Sequence, residues 1–452
     1  MIKGSVEVER KVLDRVIPDL DDRVRLENSI KSLIEVIKDK LRDIDIPIKI
    51  ELVGSTAKDT YLRDNLDIDL FLCFPISTSR QDLERFGLFI GRSILSNIEE
   101  CFAEHPYLRG EFESYKTEIV PCYSIEYADQ KLSAVDRTPL HTKYIQKYIS
   151  NNQKNEVRLF KQFLKGINCY GAEAEIEGFS GYLCEILILR YNTFQNLIKE
   201  ASKWIDQTIL YLKKEDFPTF DTPLVFIDPV DGTRNVSSAL SKEKFKLFIK
   251  ACKEYIKKPQ ITFFFPNKLN PLSLDEIKKQ IKGKEFIGIK IKKPDIIVEN
   301  LYPQVRKAVK AVTDLCIQND FSMDDSFFHI TDNSIYIVLN PLDMNISETM
   351  THVGPPSKLK KNSNDFMKKW DDNSRTIKKP YEKDGRLYVD IQRQYTDIKE
   401  LLKDQITTLS LGKHIDDIVK CDFKILTISD LLSEKLLMLW TEYLDKRMSW
   451  ER

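Results

Sequence analysis

The stretch Leu66-Asp67-Ile68-Asp69-Leu70-Phe71-Leu72, running on into Cys73-Phe74-Pro75, decides how this chain is read. Leucine, β-branched and aromatic residues fill it and Pro75 closes it, which predicts a strand. Side chains alternate faces along a strand, so Asp67 and Asp69 point the same way, about 7 Å apart at a rise of ~3.3 Å per residue. Leu66, Ile68 and Leu70 point the other way, into a core. Two parallel carboxylates on a half-buried strand repel each other and resist desolvation. A divalent cation makes such a pair worthwhile, because hard metals such as magnesium take carboxylate oxygens. The competing explanation is an edge strand with a merely solvated outer face, and an Asp-x-Asp triplet alone does not separate the two.

The wider composition sets bounds. A chain of 452 residues exceeds one hydrophobic core and is expected to split into two to four domains. With 42% hydrophobic and 31% charged residues it reads as a globular protein. No run approaches the ~18 apolar residues of a membrane span, and the opening Met1-Ile2-Lys3-Gly4-Ser5 lacks an apolar signal region. The eight cysteines are scattered singly with no CxxC pair, which argues against a disulfide framework or a zinc knuckle and favours a reducing cytoplasm. Five histidines, none at ligand spacing, disfavour histidine–metal chemistry. Lys+Arg and Asp+Glu cancel at 70 each, so only the distribution of charge bears on a nucleic-acid partner.

Outward from the opening strand, the chain alternates elements. Leu26, Ile30, Leu33, Ile37 and Leu41 make a helical stripe that Asp21 or Asp22 is placed to cap. The strand Ile46–Leu52 leads into Gly54-Ser55-Thr56, and a short helical segment through Lys58 and Arg63 returns to Asp67. Residues 81–99 read as a helix, and Thr117-Glu118-Ile119-Val120-Pro121-Cys122-Tyr123 as a strand carrying another acid. From 154 the pattern is mostly helical, with Ser180 placed to cap a buried helix. Ser273-Leu274-Asp275-Glu276 is a capping box, Phe286–Lys292 a strand, and Pro303 fits the first turn of a helix carrying Val305, Val309 and Val312. A hairpin is expected at 327–330 and 335–339, a polar loop over 340–380, a strand at 387–391, a helix capped by Thr396 or Asp397, and a last helix over 428–445.

A Gly-Ser turn, a short helix and then an Asp-x-Asp strand, with Ser55 twelve residues before Asp67, is a specific combination. Glycine lets backbone approach a phosphate, and N–H groups with a serine hydroxyl at a helix start bind anions. Lys58 adds positive charge. Carboxylates opposite that turn can hold magnesium on a triphosphate, and Glu118 on a neighbouring strand would complete a two-metal site. The reaction this predicts is nucleotidyl transfer, in which a 3′-hydroxyl attacks the α-phosphorus of an NTP and pyrophosphate leaves.

These residues resemble the active-site signature of the polymerase-β nucleotidyltransferase superfamily. Further segments narrow the resemblance to the archaeal (class I) CCA-adding enzymes: 117–123, Ser133–His141, Tyr170-Gly171-Ala172-Glu173, Gly178–Glu185, Asp228–Val236, His352-Val353-Gly354-Pro355-Pro356, and Gly385–Leu387 with Tyr395-Thr396-Asp397. The resemblance spans nearly the whole chain. It implies an α+β multidomain protein with a nucleotidyltransferase head (1–147), a helical, nucleotide-binding neck (148–260), an α/β body (261–300 and 375–452) and an α/β tail (301–374). It further implies template-independent addition or repair of the 3′-terminal CCA of tRNA with CTP and ATP. Carried over, Asp67, Asp69 and Glu118 are the catalytic, magnesium-binding carboxylates. Gly54, Ser55, Lys58, Lys161 and Tyr170 hold the triphosphate, Thr138 and His141 lie near the sugar and the growing 3′ end, and Arg234 reads the base edge with its planar fork. The family usually shows Asp where Glu118 stands here, which makes Glu118 the weakest of the three assignments. The position of Asp67 is Glu in some relatives, a swap that keeps the charge.

Plainer explanations stand beside these. Lys161 and Tyr170 read equally as an exposed lysine and a core tyrosine, His141 as a bland buried histidine, and Arg234 as a structural ion pair with Asp228 or Asp231. The lysine runs at 278–293 and 358–369 are ordinary solvated faces unless they grip the acceptor and TΨC arms of tRNA, as the family does. A homodimer stays open. The rival functions are a poly(A) polymerase or oligoadenylate synthetase, a glycosyltransferase using the Asp-x-Asp pair, and a tRNA-binding protein without catalysis.

Overall fold

The computed structural model describes residues 2, 4–102, 104–213 and 216–452. They form two compact units, Met1–Lys268 together with Arg447–Arg452, and Leu269–Lys446.

The first unit opens on a five-stranded sheet of β1 (Lys49–Leu52), β2 (Ile68–Phe74), β3 (Ser96–Phe102), β4 (Pro106–Phe112) and β5 (Tyr115–Tyr123), in the order β1-β2-β5-β4-β3. The β2–β5 pair is parallel and sets Asp69 opposite Glu118, while the other neighbours are antiparallel. Alternation along β2 sorts its side chains. Ile68, Leu70, Leu72 and Phe74 enter a core with Leu26, Leu33 and Ile37 of the helix Leu20–Leu41 and with Leu83 and Ile90 of the helix Arg80–Ile94. Phe71 and Cys73 take the other face, against Val53, Val120 and Cys122. Asp69 starts that second face, as the period of two requires.

Two local expectations shift. The helix Leu20–Leu41 is capped by Asp19, and Asp22 reaches back in a capping box rather than serving as the cap. The helix expected over 81–99 ends at Ile94, where its apolar stripe stops, and the chain turns into β3 because pairing with β4 claims those residues.

The rest of the first unit is helical: Thr138–Tyr148, Asn151–Gly166, Gly181–Tyr191, Phe194–Ala201 and Lys242–Lys257, with a small parallel pair, β6 (Thr208–Leu210) and β7 (Leu224–Phe226). Ser180 caps its helix as expected, accepting from Leu183 N at 3.1 Å. Phe160, Phe163, Phe194, Phe248, Tyr255 and Phe264 fill the core. The chain returns to this core at 447–452, where Trp450 stacks on Phe263 with ring centroids 5.2 Å apart. There Thr262 Oγ1 donates to Trp450 O and Ser449 Oγ to Gly166 O, both at 2.7 Å.

In the second unit, β8 (Ile287–Lys292), β9 (Met323–Ile330), β10 (Ser334–Pro341), β11 (Thr349–Pro356), β12 (Thr376–Lys383), β13 (Arg386–Gln392) and β14 (Phe423–Leu426) divide into two sheets, β14-β8-β10-β9 and β11-β13-β12. This division differs from a tail at 301–374. The helix Val298–Gln318 and β10 share one core with β8, so 301–341 goes with the body residues. The β11–β13 ladder crosses 374/375, so that boundary would cut a sheet in two. The polar loop expected over 340–380 contains β11, the helix Lys360–Asp371 and β12, whose outward lysines masked the strand pattern. Pro303 lies inside its helix, which starts at Val298, and the helix expected over 428–445 breaks into Ile428–Leu431 and Leu437–Leu444. Among the described residues no helix is long and apolar enough to cross a membrane.

Candidate active site

The turn after β1 and the start of β2 meet tightly. Val53 N donates to Asp69 O at 2.9 Å, and Gly54 follows with φ +70° at the head of the helix Gly54–Lys58. A Cβ on Gly54 would lie 1.8 Å from Asp69 Oδ2, so both the backbone angle and the space demand glycine. Thr56 Oγ1 donates to Asp67 O at 2.5 Å, and Asn65 Nδ2 to Asp67 Oδ2 at 2.6 Å. These bonds tie the Gly54 turn directly to the carboxylate strand.

Burial raises the pKa of both acids. Asp69 is pushed up to about 7, chiefly by desolvation and then by repulsion from Glu118 and Asp67. Asp67 moves the same way, mainly through desolvation, opposed by Lys116 and Asn65. Glu118 stands beside Asp69 in the ladder, but Arg109 Nε holds its Oε1 at 2.8 Å. Among the described residues no three His, Cys, Asp or Glu side chains converge as a ready metal cage.

Facing the carboxylates is a cavity of about 420 Å³, within the range of small-molecule sites. Gly54, Ser55, Lys58, Asp67 and Asp69 line one side, and Thr138, His141, Lys161, Tyr170 and Arg234 line the other. The structure therefore gathers every residue singled out from the sequence except Glu118, which lies outside the lining.

Two charge clusters organise the wall of the cavity. In the first, Lys58 Nζ pairs with Glu185 Oε2 at 2.6 Å, Thr60 Oγ1 donates to Glu185 Oε1 at 2.6 Å, and Lys161 Nζ lies 3.8 Å from that oxygen. Lys161 Nζ also donates to Thr60 O at 3.0 Å. Glu185 is fully buried, and desolvation draws the Lys161 ammonium below its ordinary pKa although Glu185 opposes the shift. One carboxylate shared by two ammonium groups leaves a net positive charge in the pocket wall.

In the second cluster, Asp228 Oδ2 accepts from Arg234 Nη1 at 2.9 Å and from His141 Nε2 at 2.8 Å, and Oδ1 accepts from Tyr182 OH at 3.1 Å. His141 stacks on Tyr182 with centroids 4.1 Å apart. Burial alone would raise the Asp228 pKa, but His141, the Val230 amide and Arg234 outweigh it and hold the carboxyl down at about 2. Desolvation lowers the His141 pKa, and its bond to the Asp228 carboxylate opposes that shift. The ion pair between Arg234 and Asp228 is thus present, and it aims the guanidinium into the cavity.

Sequence reasoning missed Thr60, Tyr182, Asp228 and Glu185 as parts of the site. Glu185 carries a legible signal, a lone carboxylate within the otherwise apolar, wholly buried run Leu183-Cys184-Glu185-Ile186-Leu187-Ile188.

Comparison with known proteins identifies the family. Residues 30–141 match the nucleotidyltransferase domain, 155–265 the second domain of tRNA nucleotidyltransferase, and 282–427 the C-terminal domain of CCA-adding enzyme. Together with the sheet and its carboxylates, these matches define a nucleotidyltransferase of the α+β multidomain kind. The chain is 33% identical to the CCA-adding enzyme of Methanosarcina barkeri over 93% of each chain. It is 34% identical to that of Methanocaldococcus jannaschii over 91% of this chain and 93% of the relative. With the enzyme of Thermoplasma volcanium it shares 37% identity over 90% of each. The chain belongs to the CCA-adding enzyme family.

Proposed function

We propose that this pocket builds or repairs the 3′-terminal CCA of tRNA from CTP and ATP without a nucleic-acid template. The observation that carries the reading is the Gly54 turn pressed against the Asp69 carboxylate, which sets an anion-binding helix start beside an acid pair. Asp67 and Asp69 would hold magnesium, and Glu118 would join them by exchanging its bond to Arg109. The donor set fits, being hard carboxylate oxygens on one sheet face with the cradle kept open by a glycine. Magnesium, when bound, supplies charge neutralisation for the attacking and leaving oxygens.

The chain's own groups account for the rest. Ser55 and the N–H groups of the Gly54 helix start, with Lys58, Lys161 and Tyr170, receive the triphosphate. Thr138 and His141 border the sugar and the RNA 3′ end. Arg234 keeps one nitrogen on Asp228 and presents its other donors to the base. The lysine-bearing segments 278–293 and 358–369 would contact the acceptor and TΨC arms. A product ladder tests the reading. A tRNA lacking CCA, incubated with CTP, ATP and magnesium, is expected to gain three nucleotides and stop. An unlimited A-tail or no incorporation overturns it.

A further inference from the structure

The helix Lys242–Lys257 buries Phe245, Phe248, Ala251, Cys252 and Tyr255 in the core of the first unit. Its outer face carries Lys242, Lys246, Lys250, Lys253 and Lys257, all exposed. Their spacing of four, four, three and four residues keeps them in one row, about 22 Å long at 1.5 Å per residue. The row borders a groove of about 510 Å³ floored by Trp204, Phe245 and Ile249. Two acids line that groove. Asp206 pairs with Lys242 at 2.5 Å, and Glu254 accepts from Trp450 Nε1 at 2.7 Å while lying 4.0 Å from Lys250. Lys246, Lys253 and Lys257 have no anionic partner among the described residues. In a chain whose charges cancel overall, this is a local excess of cations in a line.

We propose that this lysine row is a phosphate-backbone track for the RNA substrate, separate from the nucleotide pocket. No lysine of the row lines the nucleotide pocket or belongs to the lysine runs at 278–293 and 358–369. Lysine ammonium groups are point charges on flexible stems. They suit a repeating phosphate chain, whereas bidentate recognition of single carboxylates or phosphates favours arginine. A row of evenly spaced cations matches a linear polyanion better than an isolated acidic side chain, which one or two lysines would satisfy. Binding of this kind carries no sequence information and adds salt-dependent affinity.

The proposal rests on the tRNA reading above, and the test separates the two. The full-length enzyme carrying Lys246→Ala, Lys250→Ala, Lys253→Ala and Lys257→Ala is compared with the wild type, using a tRNA that lacks CCA and fluorescence anisotropy across a salt series. Binding is expected to weaken by roughly 10-fold or more near 0.1 M salt. The slope of log K against log salt is expected to flatten by about 0.7 to 0.9 for each phosphate that a lysine no longer neutralises. KM for CTP and the melting temperature stay at wild-type values, and the matching set of Lys→Arg changes restores the affinity. Unchanged affinity and slope in the alanine variant overturn the proposal, including the case in which the row serves an acidic protein instead. A wild-type enzyme that fails to add three nucleotides in the product ladder overturns the tRNA reading, independently of the row.

Discussion

The active-site cavity holds two charge clusters built on opposite plans. Around Glu185, a fully buried carboxylate is met by Lys58, Thr60 and Lys161, so its charge is neutralised by the protein itself. Around Asp69, burial brings like charges together, with Glu118 and Asp67 adding repulsion to desolvation. Lys58 and Lys161 both meet Glu185, so the fold itself supplies that carboxylate with its cations. The second is left unbalanced by the protein's own groups, because Arg109 is held by Glu118 and the Asp69 pKa stays raised. One cavity thus carries a buried carboxylate held by two cations and another set among like charges.

Breaking each cluster in turn sharpens that contrast. Asp69→Ala removes the unbalanced side and is expected to cut nucleotide incorporation by on the order of 10³-fold or more, with tRNA affinity nearly intact, as measured by single-turnover assay and anisotropy. Glu185→Ala strikes the cation-held side. It strands two buried lysines and is expected to lower unfolding free energy by about 3–5 kcal/mol in a denaturant melt, with Glu185→Gln costing less. Gly54→Ala forces a methyl group into Asp69 and is expected to reduce kcat by about 100-fold, the cost of displacing a reacting group by about an ångström.

Asp228 gives the smallest and most pH-specific effect. Its carboxyl sits at about 2 against an ordinary 3.8, so the folded state binds its proton less readily than the unfolded state. The stabilisation is complete above pH 3.8 and is lost as pH falls through 2, amounting to about 2 kcal/mol. Asp228→Asn is expected to flatten that part of the acid unfolding curve, read by circular dichroism between pH 5 and pH 2.

Legibility in the sequence followed the range of the interactions. The alternation on β2 and the Gly54-Ser55 turn are local patterns, and both placed their side chains correctly. Glu118 was legible as an acid on a strand, but its bond to Arg109 was not. Reading 81–99 as one helix hid the β3–β4 hairpin that supplies Arg109. Glu185 and Lys58 lie 127 residues apart, so no window on the sequence contains the pair. In the second unit, β12 is a mostly exposed strand carrying Lys378, Lys379 and Lys383. Edge strands guarded by lysine lack the apolar alternation that marks a strand.

The return of the chain at 447–452 bears on how the protein matures. Ser449 and Trp450 bond to Gly166, Thr262 and Glu254, residues synthesised roughly two to three hundred positions earlier. Domains generally fold in order as they leave the ribosome. Here the catalytic unit cannot close its own core until the whole of the second unit has been translated. A nascent chain cut short before residue 447 therefore carries Asp67, Asp69 and the Gly54 turn on an unfinished scaffold. Translation of the second unit thus precedes closure of the first unit's core.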